Sequence, residues 1–181
     1  MKKLGLATIV AIIGLVALLV GGQGSAGGHK HKLKADTLTG YQEATPAGVS
    51  SPAGTGTFSA TIDDDAQVIT YTLTYVGLGT PATQSHVHFG NRFDSGGVSF
   101  FLCGGTKPAC PAGTTTEAVV TGTVTPADVI GPAAQGIAVG EWDEIVAAMR
   151  AGVAYANVHS SQFPAGEIRG QINDENQRQE D

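Results

Sequence analysis

From residue 57 to 62 the chain alternates strictly. Phe58, Ala60 and Ile62 fall on one side, and Thr57, Ser59 and Thr61 on the other. That is the period of a half-buried strand. The polar turn Asp63-Asp64-Asp65-Ala66-Gln67 follows, and Val68–Val76 is then dense in β-branched and aromatic residues. The two runs predict a β-hairpin. Further strands are expected at residues 85–89, 97–103, 117–124, 153–159 and 167–172, joined by short loops rich in Gly and Pro. Short strands at such spacing predict an antiparallel sandwich or barrel.

One segment changes period. Over residues 141–150, Trp142, Ile145, Val146 and Met149 share one helical face. Glu141, Asp143 and Glu144 open it, Arg150 closes it and Gly152 follows, as the helix dipole and a left-handed stop prefer. Trp142 is assigned to packing this helix on the sheet, with ligand stacking as the alternative.

The ends have a different character. Lys2 and Lys3 precede an apolar run over residues 4–20, and Gly21-Gly22-Gln23-Gly24-Ser25-Ala26 follows. This reads as a signal peptide over residues 1–26, cut after Ala26; the rival is an uncleaved membrane anchor. Residues 27–34 read as a flexible lead-in, the folded domain as 35–173, and 174–181 as a polar tail. A secreted protein, extracellular or in the cell envelope, is therefore expected, with no membrane span once the leader is cut.

Composition narrows the partners. The 181 residues carry 10 Lys+Arg against 16 Asp+Glu, a net charge of -6, and loss of the leader's two lysines deepens it to -8. A nucleic-acid partner is disfavoured, because phosphate binding needs a basic face. The triple aspartate lacks the glycine and distal glutamate of a calcium loop and reads as a solvated turn. No serine sits in a nucleophile elbow. Cys103 and Cys110, the only two cysteines, read as a local disulfide in an exported protein, or else as free thiols for redox or copper chemistry.

Several segments together resemble a known family. They are Leu38-Thr39-Gly40-Tyr41-Gln42-Glu43-Ala44-Thr45-Pro46; Ser85-His86-Val87-His88-Phe89-Gly90 with the following 97–103 run; Gly152-Val153-Ala154-Tyr155-Ala156-Asn157-Val158-His159-Ser160; and Pro164-Ala165-Gly166-Glu167-Ile168-Arg169-Gly170-Gln171-Ile172. In this order they resemble the CHRD domain, over roughly residues 33–173. The resemblance implies an all-β, antiparallel Greek-key β-sandwich, immunoglobulin-like or superoxide-dismutase-like, with the one short helix added. It implies no catalysis. The growth-factor binding of chordin does not transfer to one copy of the domain without that protein's cysteine-rich modules. The function expected is a binding or structural module without enzymatic activity, its partner an unnamed protein or other extracellular ligand.

The histidines offer an alternative. His86 and His88 are two apart, so on a strand they share a face. His159 ends a strand whose Tyr155 and Asn157 share its own face. If the strands are neighbours, three imidazoles converge, a donor set for copper or zinc. Each ring then needs its second nitrogen held, with Glu167 and Asn157 as candidates. The competing reading is a hydrogen-bonded polar cluster, with Glu167 and Arg169 as a strand-end ion pair. The His-Val-His resembles the copper strand of copper/zinc superoxide dismutase, but the further ligands of that enzyme are missing, which disfavours dismutase activity. A cut after Ala26 would also expose Gly27, Gly28 and His29 as a square-planar copper or nickel site.

Overall fold

A computed structural model describes residues 30–44, 51 and 53–174. The leader, the Gly27-Gly28-His29 motif and the tail from residue 175 lie outside them. Eight strands form: β1 Lys30–Thr39, β2 Thr55–Asp63, β3 Val68–Val76, β4 Ala82–Phe89, β5 Gly97–Cys103, β6 Ala118–Val124, β7 Ala154–Ser160 and β8 Ile168–Asp174. The helix α1 is Trp142–Arg150. The seven strands expected after residue 55 are all present.

The strand that periodicity missed is β1. Residues 30–34, read as lead-in, pair with β2 from Lys30↔Asp63 to Lys34↔Ser59. The alternation was there, with Leu33 and Ala35 buried, but His31 holds the first inward position and hides it. The lysines take the alternate positions, where Lys30 pairs with Asp63 at 3.6 Å and Lys34 with Asp36 at 3.2 Å.

Every pairing is antiparallel, and the strands follow the order β5-β4-β7-β8-β1-β2-β3-β6. The expected separation into two sheets is not seen. One ladder runs through all eight strands and curls until its edge strands β5 and β6 approach, giving a nearly closed barrel. Tyr71 on β3 helps to close it by donating from its hydroxyl to Leu102 O on β5, 2.7 Å away. Inside lies one core, to which Phe58, Leu73, Val87, Phe100, Val158 and Ile172 contribute.

Helix α1 feeds through Gly152, at φ +71°, into β7. It therefore covers the end of the barrel where Phe89, Ala154 and Ile172 are in register. Its buried face is Trp142, Ile145, Val146, Ala148 and Met149, so Trp142 is a core residue. Arg150 grips both carboxylate oxygens of Asp64, at 2.9 and 2.8 Å. The aspartate turn thus anchors the helix, while Asp63 accepts the Ala66 N–H. Cys103 and Cys110 are disulfide-bonded, which pins the loop that leaves β5.

The two halves of the barrel differ. Strands β2 and β3 alternate buried and open positions. Their outer face is a field of hydroxyls, with Thr57, Ser59 and Thr61 opposite Thr74, Thr72 and Thr70. Strand β7 is buried at every position, as are the middle of β4 and β8 from Ile168 to Ile172. Loops cover the outside of these three strands, and the polar residues there are sealed in.

Candidate metal centre under the loops of one sheet face

On β7, Ala154, Ala156 and Val158 face the core, which leaves Tyr155, Asn157 and His159 for the outer face. The same parity puts His86 and His88 of β4, and Arg169 and Gln171 of β8, beside them. The register brings His86 opposite Asn157 and His88 opposite Tyr155, and Asn157 opposite Arg169. Each of these side chains is buried. Buried polar groups need partners, and the covering loops supply most of them.

Arg169, only 2% exposed, donates to the carbonyls of Asn91, Arg92 and Asp94, at 3.0, 2.8 and 2.9 Å. It thereby holds the β4–β5 loop down. Its guanidinium also lies 3.7 Å from the centroid of the Tyr155 ring, a cation–π contact. Gln171 donates to Gly90 O and Gly152 O. Asn157 donates to Ile168 O at 2.9 Å and to Glu43 Oε1 at 2.7 Å, which fastens the segment after β1 over the face.

The three histidines converge as the spacing predicts. His86, His88 and His159 are 3%, 7% and 5% exposed. One nitrogen of each lies within 4.8 Å of the other two. His88 Nδ1 is 2.9 Å from Gly96 O and His159 Nδ1 is 3.1 Å from Pro164 O. A carbonyl can only accept, so both Nδ1 atoms carry the proton and both Nε2 atoms present a lone pair. His159 Nε2 meets His86 Nδ1 at 3.1 Å. His88 Nε2 is buried with no partner. Among the described residues this is the one group of three or more His, Cys, Asp or Glu side chains placed to share an ion.

Burial keeps these rings neutral. It pushes His86 down to about 3 and His88 to about 4, helped by the neighbouring imidazoles, and lowers His159 against the pull of Pro164 O. Their lone pairs are thus available at neutral pH. A neutral imidazole with its other nitrogen held is the form that ligates metal.

Two expected supports lie elsewhere. Glu167 does not hold a histidine ring. Its Oε1 accepts from Ser51 Oγ at 2.8 Å and from the Gly79 N–H at 2.7 Å. Nor does Asn157, which serves Glu43 and Ile168. Backbone carbonyls take that role instead, and no side-chain motif announces a carbonyl. The ion pair expected between Glu167 and Arg169 is replaced by these separate engagements.

Sequence reading missed Glu43 as a site residue, although it stands in the opening motif. It is 8% exposed, and burial lifts its carboxyl to about 7 against the pull of Asn157 and Arg169. A carboxyl raised in the folded state gives stability that is complete below its unfolded value, near 4.5, and is lost as pH rises through about 7. The histidines act in the opposite sense, losing stability as pH falls below about 6.5. The difference between wild type and Glu43→Gln isolates the carboxyl. Urea unfolding is expected to show near-equal stability at pH 5, and a variant more stable by about 2–3 kcal/mol at pH 8. A difference that stays constant across this range would refute the assignment.

The described residues contain no helix long and apolar enough to cross a membrane. No curated protein and no solved structure matches the chain. The CHRD domain family model matches residues 35–172. That span takes in the second half of β1, all of β2–β7 and most of β8, with Glu43, the three histidines, Tyr155, Asn157, Glu167 and Arg169. The motifs scattered along the chain thus meet on one covered sheet face, and the chain belongs to the CHRD domain family.

Proposed function

We propose that this CHRD domain is an extracellular binding module, and that a copper or zinc ion held by His86, His88 and His159 is among what it binds. The observation that carries the metal reading is the buried, partnerless Nε2 of His88 beside two further ring nitrogens. A buried acceptor without a partner costs about 1–3 kcal/mol, and an ion would relieve that cost. The disulfide and the apolar leader support an extracellular setting. The non-sequential neighbours in the ladder, β7 beside β4 and β6 beside β3, support a Greek-key reading of the fold. The role is one of binding rather than catalysis.

Metal analysis of purified protein tests the reading. One copper or zinc ion per chain is expected, and His88→Ala is expected to lose it. Protein that takes up no ion after incubation with either metal, and whose His88→Ala variant behaves alike, would leave the histidines as a structural hydrogen-bonded cluster. A superoxide assay on the loaded protein separates plain binding from dismutase-like turnover.

A further inference from the structure

We propose that the three-histidine centre selects monovalent copper, and that the stack of Arg169 on Tyr155 on His88 sets this preference. The proposal rests on the metal reading above and adds the charge of the ion to it. The cost of burying an ion rises with the square of its charge, so a covered site favours a low charge unless its ligands offset it.

Three features leave the charge without offset. Each histidine offers one neutral nitrogen, with no carboxylate or thiolate in the cluster. The bonded Nδ1 atoms of His88 and His159 leave Nε2 as their donor, and His86 Nδ1, which faces His159 Nε2, is taken as the third. The rings of His88 and His159 are backed by the carbonyls of Gly96 and Pro164. A carboxylate in that place would raise ligand basicity and support a divalent ion; a neutral carbonyl does so less. The third feature is a fixed cation. The Tyr155 ring lies flat on His88, with centroids 4.8 Å apart and planes at 7°, and the Arg169 guanidinium caps its other side. Arg169 donates to three backbone carbonyls; Glu43 and Asp94 attract it through space without a hydrogen bond, and its charge still acts on His88.

Copper is the imidazole-binding metal with a stable monovalent state. A monovalent d10 ion also accepts three donors alone, whereas zinc sites take four. Donors at about 2.0 Å from a shared ion stand about 3.5 Å apart, so the observed cluster needs only small ring movements. Loading breaks the His86–His159 hydrogen bond, and the His86 proton passes to its own Nε2.

The test titrates metal-stripped full-length protein with Cu(I) under anaerobic conditions against bicinchoninate, and separately with Cu(II) and Zn(II) against matched chelators. Only binding lost in His88→Ala is counted. Cu(I) is expected to bind at least about a hundredfold more tightly than either divalent ion. Arg169→Gln, which removes the cation, is expected to narrow that margin roughly tenfold, while Arg169→Lys keeps most of it. If the glutamine variant does not fold, the wild-type margin decides alone. Equal or tighter binding of Zn(II) or Cu(II) overturns the charge assignment and leaves the metal site standing. Absence of any His88-dependent binding removes the metal reading and this inference with it.

Discussion

Arg169→Met is expected to destabilise the domain by about 3–5 kcal/mol. The methionine replaces most of the apolar stem but none of the N–H groups. The carbonyls of Asn91, Arg92 and Asp94 then lose their donor beneath a covered surface. A hydrogen bond from a charged group is worth about 1.5–3 kcal/mol, and relaxation of the loop recovers part of the three. The Tyr155 contact goes as well. Lysine keeps a charge but reaches one carbonyl at a time, so Arg169→Lys is expected to recover less than half of the loss. Urea unfolding measures both. A methionine variant within about 1 kcal/mol of wild type would show that Arg169 does not hold the loop.

Gly96→Ala is expected to cost about 2–4 kcal/mol and to disorder the histidine centre. A Cβ at residue 96 would fall on the carbonyl of Phe89, across the base of the β4–β5 loop. That obstacle is backbone, so the two arms of the loop must part. Gly96 O also fixes the His88 tautomer, and the Gly96 N–H donates to Tyr155 Oη at 3.0 Å. Parting the arms releases both rings. The expected observation is a lowered melting temperature together with metal uptake weakened more than tenfold. Normal uptake in a destabilised variant would show that the carbonyl of Gly96 is not needed to aim His88.

The strands and the helix were legible because their faces differ in polarity. The alternation in β2, the β-branched run of β3 and the Trp142-Ile145-Val146-Met149 stripe each encode one buried side. The histidine trio was legible as well, since a two-residue spacing fixes a shared face whatever surrounds it. The supports of the trio were not. Glu167 and Asn157 have the right chemistry, yet loop closure gave the holding positions to the carbonyls of Gly96 and Pro164. The lead-in was misread because His31 occupies an inward position in β1.

The sequence alone therefore determined the β class, the order of elements and which side chains share a face, since these follow from local periodicity. It also placed the motifs that mark a CHRD domain. Tertiary structure decided that the ladder is continuous and curls into a barrel, because strand order depends on contacts between distant segments. It further decided that the polar side of β4, β7 and β8 is a covered layer rather than a wet surface. A histidine, an arginine and a glutamate at alternating positions look the same in either case. Only the loops folded over them turn ordinary polar positions into neutral imidazoles, an Arg169 hydrogen-bonded to backbone carbonyls and an unsatisfied nitrogen.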